Sequence, residues 1–289
     1  SSRTGRAGAS CRRRGWSSYV ATREFSRIVH GMDVFFGLLQ LIAAGFSGGL
    51  TVKLIDIGYS EYRSQTIAGT EAKRFVDSHL TPLLKSSDEL MGKLRALAVN
   101  DFRPLYADRE SERQKDWLST LYLIAKFWAF IEIFREAGLT IDFVTDDRGR
   151  RLQTFIECLE SRPVRLADRI SQRAIGELML ERRANQLEPI SFLEFVDRIE
   201  SENGRRWIEP LSKLLNRARH TRERQMLLAY AVVVHAMLDS LDPRHAITRD
   251  RPAFPGKLSA RTWKSLHYKV FGTYLSEVSD GTKYIGPPK

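Results

Sequence analysis

His235, Asp239, Asp242 and His245 fall within eleven residues of one another, and His235 and Asp239, four apart, share one face of any helix that holds both. Two imidazoles and two carboxylates can bind a divalent metal or pass a proton. Metal sites in helical bundles draw matching ligands from facing helices, and neither Glu-x-x-His nor His-Glu-x-x-His occurs anywhere in the chain. His235 and Asp239 are thus the metal candidates, set against the simpler reading of a helix-end histidine beside a C-terminal turn. Glu132 and Glu177 form the second constellation, each an acid inside an otherwise apolar helical stretch where an unpaired charge is costly. They could serve as a general acid and base. Ion pairing with Lys126, Arg135 or Arg173 across a helix interface is the structural alternative.

A third pattern, Gly45-Phe46-Ser47-Gly48-Gly49, matches the G-x-S-x-G nucleophile elbow. The elbow needs several parallel strands before the serine, yet only 46 residues precede Ser47 and the chain after it is patterned as helices. The same stretch places Ala44 one turn before Gly48 and Gly45 one turn before Gly49, a small-residue face on which two membrane helices can pack closely. Cys11 and Cys158 are too few for a disulfide framework or a cysteine-built zinc site. With no Walker loop and no G-x-G-x-x-G, the sequence calls for no cofactor.

The element expected to carry the small-residue face is the run Val34 to Val52, nineteen residues without a charge between Asp33 and Lys53. At about 1.5 Å per residue such a helix crosses roughly 30 Å of hydrocarbon. Ten of the nineteen are Leu, Ile, Phe or Val, offset by four glycines, Gln40, Ser47 and Thr51. A cleaved signal peptide has a shorter apolar region, so an uncleaved anchor is expected.

Beyond the anchor the hydrophobic period is helical almost throughout. Helices are expected over Thr70 to Val99, Arg113 to Ala137, Arg151 to Glu160, Val164 to Arg183, Ser191 to Glu202, Trp207 to Arg217 and Thr221 to Leu241, with one more over Ala260 to Leu275 and an extended arm or disordered tail around it. The expected organisation is a basic extension at 1–31, the anchor at 32–58, a linker at 59–69, a helical bundle at 70–243, and a Pro-containing helix and tail at 244–289. The fold class is all-α, a single N-terminal transmembrane helix followed by a multi-helix bundle.

Phe75-Val76-Asp77-Ser78-His79-Leu80-Thr81-Pro82-Leu83-Leu84, Ser119 to Leu123 with Phe130 to Phe134, and Gln172-Arg173-Ala174-Ile175-Gly176-Glu177-Leu178-Met179 resemble an uncharacterised group of bacterial proteins with an N-terminal membrane helix and an all-helical soluble part. The resemblance covers about residues 70–243, ending at Leu241-Asp242-Pro243. It implies a bacterial, anchored bundle and transfers no catalytic residue.

The 289 residues carry a formal charge of +11, of which the seven arginines and one glutamate of residues 1–31 supply six. From Met32 onward 39 basic residues face 34 acids, an ordinary surplus that makes nucleic acid an improbable partner. Basic clusters at Arg148 to Arg151, Arg205-Arg206-Trp207 and Arg217 to Arg224 each lie near acids, which fits a solvated helix surface; facing a bilayer, they would attract anionic headgroups. If translation starts at Met32, then Lys53, Arg63, Lys73 and Arg74 hold the bulk domain in the cytoplasm, whereas the arginines of 1–31 would reverse that orientation. The expected function is a membrane-tethered helical interaction or scaffold module at the bacterial inner membrane, contacting the bilayer, an unknown protein partner, and a second copy through the membrane helix. The alternative is a membrane-associated enzyme or effector with a carboxylate-based site inside the bundle.

Overall fold

The structure, a computed structural model, describes the backbone of residues 48–107, 110–139, 141–184, 186–253 and 255–287, and side chains from residue 69 onward. The chain forms two compact units, residues 1–65 and residues 66–289. Helix α1 runs from Gly48 to Val99, through Pro82 and through residues 59–69, where a linker was expected. Most of the run Val34 to Val52 lies outside the described residues, as do Ala44, Gly45 and Ser47; Gly48 and Gly49 open α1.

In the second unit α2 (Glu110–Ala137) is the central element. Leu121, Ile124, Ala125, Phe127, Trp128, Ala129, Phe130, Ile131, Ile133 and Phe134 are all buried, so the helix is covered on nearly every side, as its unbroken apolar sequence requires. Against it lie α1, whose Phe75 ring stands edge-on to Phe134 at 5.3 Å and whose Glu89 pairs with Lys126, and α4 (Arg169–Leu178), whose contact with α2 is the most extensive in the unit. Helix α3 (Asp147–Leu159) lies on α7 (Thr221–Leu241), and α5 (Phe192–Glu200) and α6 (Glu202–Asn216) pack on each other, with α6 touching α4 and both touching α2. The start signals are those of ordinary helices: Asp146, Asp168 and Ser191 accept hydrogen bonds from first-turn N–H groups, and Ser191 with Glu194 completes a capping box.

Two expectations are corrected here. The helix expected over Val164 to Arg183 spans only Arg169–Leu178 and gives way to a hairpin, β1 (Leu180–Arg183) paired antiparallel with β2 (Gln186–Pro189). Arg198 of α5 donates to the carbonyls of Leu178 and Leu180 at 2.9 and 3.2 Å, which satisfies the acceptors freed where the helix stops. The C-terminal region is no free arm or tail. After α8 (Ala260–Lys264) the backbone widens into a π-helix, Ser265–Tyr274, and the short α9 (Thr282–Ile285) buries Tyr284 and Ile285. Trp263 Nε1 donates to the Gly286 carbonyl at 2.9 Å and closes this segment on itself. Arg251 fastens the preceding stretch to α1 by donating to both carboxylate oxygens of Asp88, at 3.0 and 2.8 Å.

At the α2–α4 crossing a Cβ placed on Gly176 would lie 2.7 Å from Glu132 Cγ and 2.9 Å from the Trp128 carbonyl oxygen. The backbones therefore touch where only hydrogen fits. Gly69, by contrast, is helical and has nothing within 4 Å of its hypothetical Cβ. Gly176→Ala is expected to destabilise the protein by about 1–3 kcal/mol through overpacking, while Gly69→Ala stabilises it by about 0.5–1 kcal/mol through helix propensity. Urea unfolding of both variants, with the same chemical change and opposite signs, checks the crossing.

Candidate functional site

Two clusters of buried polar side chains emerge from this framework. The first sits where α2, α3 and α4 meet. Arg135, in the last turn of α2, bonds through its two terminal nitrogens to Glu132 of the same helix and to Glu160 at the end of α3. Arg169 and Arg173 of α4 approach the other oxygen of Glu160, at 3.8 and 3.7 Å. Burial raises the Glu132 carboxyl above its ordinary value and outweighs the opposing bond and charge of Arg135. The network borders a cavity of about 600 Å³ whose walls include Arg135, Glu160, Arg173, Phe143 and Tyr274.

Glu177, the intended partner of Glu132, is exposed on α4. The pairing that the structure makes is Glu132 with Arg135. Arg173 turns to Glu160 instead, and Lys126 to Glu89 at 3.3 Å. Sequence reading missed Glu160, the acid that does share Arg135, because it lies 25 residues from that arginine and at the frayed end of its helix. Its signal was faint: an acid closing an amphipathic helix.

The second cluster lies in the last third of α7. His235, six residues before the end of α7, is buried, as are the residues around it, Tyr230 to Leu238. Its Nε2 lies 3.7 Å from Asp239 Oδ1, and His245 Nε2 approaches the same oxygen at 3.9 Å. The other oxygen of Asp239 accepts bonds from Lys283 and, at 3.0 Å, from Tyr284, both of α9. Asp242 does not face the cluster. It folds the loop that follows, accepting from the N–H groups of Ala246, Ile247 and Thr248 at 2.8–2.9 Å and from the Thr248 hydroxyl at 3.0 Å. That loop holds His245 at a φ of 50° and so turns its ring back toward Asp239. Sequence alone could not find Lys283 and Tyr284, which lie 44 and 45 residues from Asp239.

His235 Nε2 and Asp239 Oδ1 are buried with no hydrogen-bond partner, although their side chains are only 4% and 10% exposed. Among the described residues no group of three or more His, Cys, Asp or Glu side chains is disposed to hold a metal ion. Burial leads in holding the His235 imidazole below its ordinary value; Asp239 and Asp250 pull the other way, and the charges of Lys283 and His245 add to the depression. Elsewhere in the core, burial pushes the Cys158 thiol up to about 12, far from a nucleophilic thiolate at neutral pH.

No family model matches the chain, and no curated protein or solved structure does either. The helical architecture implied by the resemblance of residues 70–243 is present. Among the described residues one helix is long and apolar enough to cross a membrane, Arg113–Ala137 within α2, and 67% of its most apolar window is buried inside the unit.

Two expectations follow from the clusters. Replacing Arg135 with Met strands Glu132 and Glu160 without their shared cation and should cost about 3–5 kcal/mol at neutral pH. A buried carboxyl that holds its proton more tightly folded than unfolded loses stability as pH rises, so this deficit should grow above about pH 4.3 and shrink below it, as chemical unfolding at pH 4 and 7 will show. His235 has the depressed imidazole, so its unfolded form takes up a proton first and stability is lost as pH falls below about 6.5. His235→Leu should flatten the dependence of the melting temperature on pH between about 7 and 5.5; an unchanged slope would assign it to other groups.

Proposed function

We propose that the chain is a membrane-tethered helical interaction or scaffold module rather than an enzyme. The observation that carries this reading is the setting of the two acids that a carboxylate mechanism needs: Glu132 is bound to Arg135 inside the bundle, and Glu177 is exposed on α4. A general acid and a general base must each lie within hydrogen-bond reach of the proton they move on one bound substrate. A carboxylate held by an arginine and another in open solvent do not present themselves to one substrate in that way. The raised carboxyl of Glu132 is the single feature that favours the alternative, a membrane-associated enzyme, and its bond to Arg135 supplies the structural reason for that acid instead.

The tether is the uncharged run Val34 to Val52, with the bulk domain on the cytoplasmic side of a bacterial inner membrane, held there by Lys53, Arg63, Lys73 and Arg74. Ala44, Gly45, Gly48 and Gly49 give this helix a face on which a second copy can pack, so that the module presents itself in pairs to a protein partner. Helix α2 is assigned to the core rather than to the bilayer. It carries Lys126, Glu132 and Arg135 within its apolar length, and its apolar residues are already spent on α1 and α4.

Carbonate extraction of cells expressing the full chain tests the tether. The protein is expected in the membrane pellet, and the variant Leu41→Arg/Phe46→Arg, which places two charges near the centre of the run at about 2.5–3.5 kcal/mol each, is expected in the supernatant. Full chain that leaves the pellet as freely as the double variant would overturn membrane attachment.

A further inference from the structure

A groove of about 970 Å³ opens between the loop that precedes α4, the start of α7 and the start of α8. Four arginines line it: Arg162 and Arg165 from the loop, Arg222 from α7 and Arg261 from α8. Its one acid is Asp168, whose two oxygens are engaged by the N–H and hydroxyl of Ser171 at 3.0 and 2.6 Å. Among the described residues none of the four guanidinium groups has an ion-pair or hydrogen-bond partner, and Arg162, Arg222 and Arg261 are exposed. Four cations around one depression repel one another, and a protein bears that arrangement where an anion is to be held.

The walls are fixed, which separates this groove from an accidental meeting of long side chains. Buried Gln172 accepts from the N–H groups of Leu166 and Ala167 at 3.2 and 3.4 Å, and Ser161 accepts through its carbonyl from Val164 and Arg165 at 3.0 and 2.9 Å, so the loop carrying Arg162 and Arg165 has a set backbone. On the opposite wall Gln225 accepts from Ser259 N at 2.8 Å and donates to the Lys257 carbonyl at 2.9 Å, fastening the start of α8 to α7. The 21-residue α7 also begins in the groove, and its N-cap His220 offers no side-chain acceptor to the first-turn N–H groups. Hydroxyls of Thr221 and Thr262 complete the lining.

We propose that this groove binds a phosphate group, carried by a phosphorylated small molecule or by a phospholipid headgroup. Donors in such number suit an anion with several oxygens and more than one charge, and guanidinium groups pair with phosphate oxygens two at a time. A carboxylate, with two oxygens and one charge, would leave half of the arginines unanswered. The volume exceeds what phosphate alone fills and falls within the range of sites for whole metabolites. This inference stands whether or not the chain is tethered to a membrane.

Calorimetric titration of the full chain in a neutral detergent, once with inorganic pyrophosphate and once with monomeric dihexanoyl phosphatidic acid, tests it. Saturable binding of at least one probe is expected, weakened about tenfold or more in each of Arg222→Gln and Arg261→Gln, with melting temperatures unchanged because both side chains are exposed. The double variant Arg150→Gln/Arg182→Gln removes two charges elsewhere, one more than either groove variant, and should bind as the parent does. Binding of pyrophosphate identifies a soluble phosphorylated ligand, and binding of the phosphatidic acid alone identifies a headgroup. Absence of saturable binding by both probes, or an equal loss in the control variant, would overturn the proposal.

Discussion

The second unit depends on how closely α4 can lie on α2. At Gly176 the gap between the two helices is set by a hydrogen atom, with the Trp128 carbonyl on one side and the stem of Glu132 on the other. Neither neighbour can retreat. Trp128 is fixed at its far end by the bond from its Nε1 to the Tyr230 hydroxyl at 2.7 Å, which links α2 to α7, and Glu132 is fixed by Arg135. Closeness at this one crossing therefore determines where Arg135 reaches Glu160, how α3 lies against α7, and which face of α4 is left for the loop that carries Arg162 and Arg165.

Buried polar groups in this unit sit at joints between helices. Trp128–Tyr230 joins α2 to α7, Arg135 joins α2 to α3, Arg251–Asp88 joins the chain after α7 back to α1, and Asp239 joins α7 to α9. An apolar bundle can slide by a turn at little cost, whereas a buried donor that loses its acceptor costs about 1–3 kcal/mol. These bonds thus act on register more than on gross stability. Asp239 is the least satisfied of them, with one oxygen bonded and the other buried beside two imidazoles.

What the sequence disclosed follows from which interactions are local. The 3.6-residue period placed α7 to the residue and α2 to within three, because each helix buries apolar side chains along its own length. The hairpin was hidden, since Leu180 to Arg183 is charged and helix-compatible, and only Arg198, some twenty residues on, provides for the carbonyls where the helix ends. Likewise α9 is too short to show a period, and its burial rests on α7 and the π-helix. For the sites, the pattern singled out Glu132 as an acid in an apolar helix and His235 and Asp239 as one face of a helix, and all three side chains are largely withdrawn from solvent. It could not pair them, because Glu160, Lys283 and Tyr284 come from elements far along the chain, and it set Glu177 inside a helix face that the fold leaves in solvent.

Net charge is a poor guide to a binding surface until the pairs are removed. Arg148, Arg150, Arg182, Arg183, Arg217 and Arg251 all have carboxylate partners within 4 Å, and Arg206 lies over the Trp207 ring at 5.6 Å, so part of the positive charge that stands out in the sequence is answered where it stands. Arg222 belongs to one of the basic clusters and escapes its neighbours. Glu223, next in sequence, is turned inward and pairs with Arg217 at 3.3 Å, as the helical period demands of adjacent residues. Arg162, Arg165 and Arg261 stand apart in sequence and meet Arg222 only in the fold. In that groove four cations share a single, already engaged carboxylate. Attraction for a multivalent anion scales with that local concentration of charge rather than with the total.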